Sequence, residues 1–166
     1  MIVLKKVLVA TDFSAPSCAA LTYGRALARS FGASLHLLHV VENYFLRPTA
    51  AVPHLVQQAK TRMLDDQLTD EDRQVLAART ALEVSDEPAE TIVGYAKAQD
   101  IDLIVMGTHS RSGLDRLLVG SVAEQVIRTA PCPVLTVRHP EREFIVPDPV
   151  GEADSHDSAE DNSGRH

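Results

Sequence analysis

A chain of 166 residues with 45% hydrophobic content supports one ordinary core, and its 4% aromatic share with no Trp makes that core aliphatic. Of the formal charge of −7, residues 139–166 carry −6 through eight acids set against Arg142 and Arg165, which leaves −1 on residues 1–138. That distribution offers no basic face or stripe to offset phosphate charge, so a nucleic-acid partner is excluded.

Residues 2–10, IVLKKVLVA, read as a strand that is apolar throughout from Val7 to Ala10, as a strand covered on both faces would be. The opening run is broken by Lys5 and Lys6 and stopped by Asp12, which does not fit a secretory leader, and no apolar stretch reaches bilayer length. A cytoplasmic protein with no membrane partner is the expectation. In the following segment Ser14 can cap a helix, Pro16 suits its first turn, and Gly32 stops it, with Cys18, Leu21, Ala28 and Phe31 on one face. SLHLLHVV, 34–41, is a second strand, and a long helical region runs from Pro53 to about Ala78, its acids DDQLTDED at 65–72 forming a solvated face. TALEVS, 80–85, alternates as a third strand. Pro88 opens a helix through Gln99 with Ile92, Val93, Tyr95 and Ala96 inward. IDLIVMG, 101–107, is a fourth strand, Ser121 to Thr129 a helix, and CPVLTVR a fifth strand. From about Pro140 the chain is acidic and rich in Pro, Ser and Gly, the composition of a disordered tail, so the folded domain is expected at 1–138 and the tail at 139–166. Cys18 and Cys132 have no CxxC or His partner at metal spacing and read as buried reduced thiols.

Strands alternating with helices specify an α/β fold, a parallel sheet with right-handed crossovers and helices on both faces. Ligands of such sheets sit beyond the carboxyl ends of the strands, where the strand order reverses. The stretch MGTHSRSGLDRLLVGS, 106–121, has the glycines, hydroxyls and arginines of an anion-holding loop placed between a strand and a helix. It fails GxGxxG, because His109 stands two after Gly107. It also fails the Walker pattern, because Gly107 and Gly113 are six apart and Leu114 replaces the required Lys.

Asp12 either meets a ligand or forms an Asx turn that assists the helix cap at Ser14. A phospho-accepting role is excluded, since there is no acidic pair near the first strand and no Lys in the fifth. His36 and His39, three apart in a strand, point to opposite faces and are packing or surface residues with no shared metal. His109 approaches a phosphate or fills a turn, and Arg111 and Arg116 either offset phosphate charge or pair with Asp115. No triad, metal cluster or placed general base is visible, so an enzyme is not expected, with slow hydrolysis by a loop-bound water as the lesser alternative.

Four segments together resemble the universal stress protein family over residues 1–138: VLVATDFS, LLHVV, DLIVMGTHSRSGLDRLLVGSVAEQVI and APCPVLTVR. The resemblance implies an open five-stranded parallel sheet in the order 3-2-1-4-5 and a homodimer formed through the last strand, Pro133 to Val137. The family's ATP binders carry Gly, two residues, Gly, nine residues, Gly, then Ser or Thr. Here Gly107, Gly120 and Ser121 are in register, and Ser110 replaces the second glycine. Carried over by position, Ala10, Thr11 and Asp12 meet adenine and ribose, and Val40 packs on the base. Met106, Gly107, His109, Ser110 and Arg111 form the phosphate loop, and Gly120, Ser121 and Val122 meet the phosphates at the helix start. The implied ligand is ATP, with magnesium accompanying the triphosphate, and AMP and ADP stand as shorter alternatives. The implied role is a regulatory stress-response module with a protein partner of unknown identity. The alternative is a member that has lost the nucleotide and acts by protein interaction, with Ser110 as its best support.

Overall fold

The computed structural model describes residues 1–41, 53–108 and 121–138. His109, Ser110, Arg111 and Gly120 of the expected phosphate loop, and the segment 139–166 read as a tail, lie outside the described residues.

The chain runs β1 (Lys6–Ala10), α1 (Ala15–Phe31), β2 (Ser34–Val41), α2 (Pro53–Asp66), α3 (Asp70–Val75), β3 (Arg79–Val84), α4 (Pro88–Ala98), β4 (Leu103–Gly107), α5 (Ser121–Thr129) and β5 (Val134–Val137). All strand pairs are parallel, in the order β3-β2-β1-β4-β5. β1 is therefore central, which explains why Val7, Leu8 and Val9 are fully buried. The two-residue strand period divides the core into two layers. Val7, Val9, Leu35, Leu37 and Val105 pack with Leu21 and Ala28 of α1, while Leu8, Leu38, Ile104 and Met106 pack with Ile92 and Val93 of α4 and Val126 of α5.

Ser14 caps α1 by accepting from the Ser17 amide, and Gly32 ends the helix at φ 64°, its N–H donating to the Ala28 and Arg29 carbonyls. The buried stripe is Ser17, Ala20, Leu21, Tyr23, Gly24 and Ala28, rotated from the one expected. Cys18 is exposed, Cys132 is only half-buried, and Phe31 is 41% exposed, so the reading of two buried thiols is corrected. Apolar size pointed to Cys18 and Phe31, but the helix approaches the sheet through its small residues, Ala20, Gly24 and Ala28.

The expected long helix from Pro53 to Ala78 is broken in two, because Thr69 starts α3 with a reciprocal cap. Its hydroxyl accepts from Asp72 N at 3.1 Å, and Asp72 Oδ2 accepts from Thr69 N at 3.0 Å. Arg25 Nε on α1 donates to the same Oδ2 at 2.8 Å, and Arg25 Nη2 donates to the Gln67 carbonyl. Asp72 is thus 1% exposed, which corrects the reading of 65–72 as a wholly solvated face. Burial opposes ionisation of its carboxyl, but the Thr69 amide and the Arg25 guanidinium outweigh it and hold the carboxyl below its usual range.

Gly94 sits on the exposed side of α4, where an added Cβ meets nothing within 4 Å. Gly94→Ala is expected to raise the free energy of unfolding by about 1 kcal/mol, read from urea midpoints at constant slope.

Candidate functional site

The strand order reverses at β1, whose neighbours are β2 on one side and β4 on the other. Ala10 stands opposite both Leu38 and Met106, and Thr11 extends the ladder by one bond from its amide to the Leu38 carbonyl at 2.9 Å. Beyond that bond the chain turns into α1. Thr11 is buried, its hydroxyl accepting from Phe13 N at 3.1 Å and lying 3.1 Å from the Ser17 hydroxyl. Asp12 is exposed at the strand end, and its Oδ1 accepts from both the amide of Ser14, at 3.1 Å, and the Ser14 hydroxyl. The Asx turn is therefore present, and it displays Asp12 at the sheet's carboxyl edge.

Between them, Phe13 adopts φ 66°, the left-handed region that costs a non-glycine residue about 1–2 kcal/mol. Its ring packs on His39 with centroids 4.4 Å apart, and Lys60 Nζ of α2 lies 4.8 Å from the ring centroid. An aromatic contact contributes about 0.5–1.5 kcal/mol and a cation–π contact about 0.5–1 kcal/mol, together enough to offset the strain. His39 donates from Nδ1 to the Thr11 carbonyl at 2.7 Å. Desolvation by burial lowers its pKa, the Thr11 bond opposes this, Lys60 adds to the lowering and Asp12 opposes it. Packing was the role foreseen for this histidine. Its tie to the turn carrying Asp12 was missed, because nothing in LLHVV says which carbonyl lies opposite the ring.

On β4, Met106 is buried and Gly107 faces α1 so closely that a Cβ would lie 2.5 Å from the Pro16 carbonyl carbon and 2.6 Å from Ser17 N. Thr108 follows, buried, its amide bonded to the Val137 carbonyl at 2.8 Å. Ala10, Met106, Val40 and Val122 share the apolar layer under α4 and α5, the first two buried and the others half-buried. Ser121 is exposed at the first position of α5. The structure thus gathers Ala10, Thr11, Asp12, Val40, Met106, Gly107, Ser121 and Val122 about the carboxyl ends of β1, β2 and β4. No group of three metal-ligating side chains occurs among the described residues. A groove of about 420 Å³ along α2 and β3, lined by His54, Gln58, Arg62 and Leu82, shares no residue with this set.

His36 lies on the opposite face from His39, 1% exposed, its Nδ1 3.0 Å from the Tyr95 hydroxyl and its Nε2 without a partner among the described residues. Burial, with Arg79 and Lys6 adding, lowers its pKa from 6.5 to about 4. The unfolded chain therefore binds more protons at this residue between those values, so the contribution of His36 to stability is full above pH 6.5 and is lost as pH falls toward 4. Thermal midpoints measured across that window are expected to drop steadily, and His36→Leu to flatten the drop. A profile with the same slope in both proteins would refute the assignment.

The fold defines a doubly wound α/β protein whose strand order switches between β1 and β4, the place where proteins of this class hold their ligands. The chain belongs to the universal stress protein family, whose family model it matches over residues 4–138. It is similar to a universal stress protein of Methanocaldococcus jannaschii, 33% identical over 150 residues that cover 84% of this chain and 85% of that one. Another protein of that organism has a solved structure that superposes with TM-score 0.66 at 27% identity, covering 85% of this chain and all of that one. Two universal stress proteins share the fold at 22% identity: one in complex with cAMP (TM-score 0.61, covering 82% and 98%) and one from Archaeoglobus fulgidus in complex with dAMP (TM-score 0.55, covering 82% and 99%). Among the described residues no helix is long and apolar enough to cross a membrane.

Proposed function

We propose that the protein is a stress-response module that holds an adenine nucleotide, ATP with its magnesium first among them, and acts as a homodimer on a protein partner rather than as an enzyme. One observation carries this reading: Asp12 stands exposed just past β1 beside the end of β4, with Ser121 opening the helix that follows. An exposed carboxylate suits ribose hydroxyls, and a helix start offers unpaired N–H groups and a positive dipole end to phosphate. Members of the family solved with cAMP and dAMP support the class of ligand. Ser110 in place of glycine is expected to weaken the phosphate contact by about 1 kcal/mol if its backbone must be left-handed.

The test is to identify nucleotide released from the denatured protein and to titrate ATP, ADP and AMP calorimetrically. Asp12→Ala is expected to weaken ATP binding about tenfold, equal to 1.4 kcal/mol, and Ser110→Gly to tighten it by a similar factor. Absence of binding at millimolar ATP in wild type, with binding gained by Ser110→Gly, would establish instead the nucleotide-free interaction protein. For the dimer, the β5 edge presents half-buried Val134, Leu135 and Thr136, an apolar strand edge that pairing would cover. Leu135→Lys is expected to shift the sedimenting species from dimer to monomer.

A further inference from the structure

We propose that Lys60 is a positioning residue for the ligand end: from α2, through Phe13, it holds the turn that displays Asp12. The proposal rests on the nucleotide-binding reading for its functional consequence, but not for its geometry. The bond from Ser14 N to Asp12 Oδ1 spans Phe13, which in this turn stands at φ 66°. Nothing intrinsic to phenylalanine favours that conformation, and no glycine or asparagine stands there to make it cheap. The ring is instead held from two sides, by His39 at 4.4 Å and by the Lys60 ammonium at 4.8 Å. His39 also fixes the residue upstream, through the Thr11 carbonyl at 2.7 Å. Two elements therefore hold the turn: β2 through His39 and α2 through Lys60.

The contribution of Lys60 is directional. A cation over the ring face is attracted only while the face is turned toward it, so losing the charge releases the ring without removing any backbone contact. By reciprocity, a ligand that needs Asp12 in this arrangement favours the docked position of Lys60, and anything that displaces α2 lowers affinity for that ligand. The helix is thereby coupled to the ligand end without touching the ligand itself.

The experiment compares the full-length wild type with Lys60→Met, which keeps the aliphatic stem, Lys60→Arg, which keeps the charge, and Phe13→Gly, which removes both ring and strain. Amide hydrogen exchange by NMR reads Phe13 N and Ser14 N, bonded to the Thr11 hydroxyl and to Asp12, against Thr11 N, bonded across the sheet to Leu38. Lys60→Met is expected to speed exchange at Phe13 and Ser14 by about two- to fivefold, with a smaller change at Thr11 and a fall in the thermal midpoint of no more than about 4 °C, and Lys60→Arg to restore wild-type rates. Phe13→Gly is expected to be insensitive to a further Lys60→Met change. Unchanged exchange at Phe13 and Ser14 in Lys60→Met overturns the proposal, as does an equal change at Thr11. ATP titration of the same proteins separates the two readings. A wild type that binds no ATP removes the nucleotide function while the exchange data still decide the positioning role. ATP affinity identical in wild type and Lys60→Met overturns the coupling.

Discussion

Asp72→Ala is expected to lower the free energy of unfolding by about 3–5 kcal/mol, measured by urea denaturation at pH 7. Two donors lose one acceptor at once, the Thr69 amide and the Arg25 Nε, and the reciprocal cap that starts α3 is broken with them. The guanidinium is the costly one, because its side chain is only 25% exposed and its remaining bond runs to the Gln67 carbonyl. Removing one partner of a buried pair leaves the other charge desolvated and uncompensated, which costs far more than the pair contributes. Thr69→Ala, which removes only the hydroxyl cap, should cost about 1 kcal/mol. The exposed pair Arg128 to Glu124 on α5, at 2.5 Å, supplies the contrast, and Glu124→Ala should change stability by less than about 0.5 kcal/mol. A loss under 1 kcal/mol for Asp72→Ala would mean that water reaches Arg25 more freely than its burial implies.

The same residue shows where sequence reading stopped. Strand positions were legible because β1, β2 and β4 are continuous apolar runs, and helix ends because Ser14, Gly32 and Pro88 act within a few residues of themselves. The order of strands came from the family resemblance and is observed. Asp72, by contrast, lies in an acid-rich run that looks uniformly solvated, and only the approach of Arg25, 47 residues earlier, buries it. The break between α2 and α3 had a local signal in Thr69 and Asp72, a cap spaced three apart, which the reading of one helical region from Pro53 to Ala78 passed over. In the candidate site, the places of Asp12 past β1 and of Ser121 at the start of α5 were legible from the motif. Phe13, His39 and Lys60 were not, since a ring stacked between a strand and a helix follows from tertiary contact alone.

Gly107 is where a motif residue and a packing residue coincide, and Gly107→Ala is expected to destabilise the nucleotide-free protein by about 3 kcal/mol. The atoms a Cβ would meet are Pro16 C at 2.5 Å, Ser17 N at 2.6 Å and Pro16 O at 2.7 Å, all backbone of the first turn of α1. No side chain there can rotate aside, so either α1 or the end of β4 must shift. A shift of α1 disturbs the Thr11 and Ser17 hydroxyl contact, and a shift of β4 disturbs the Thr108 bond to β5. Gly94→Ala, in open space on α4, gains stability by the same chemical change, which isolates the clash from glycine's general entropic effect. The comparison also divides the two reasons for a glycine at 107. If room for phosphate were the whole reason, Gly107→Ala would leave the unliganded protein as stable as wild type and lower only ATP affinity. A stability loss in the absence of nucleotide, read from urea midpoints beside those of Gly94→Ala, shows that seating α1 against β4 requires glycine here whether or not a ligand is bound.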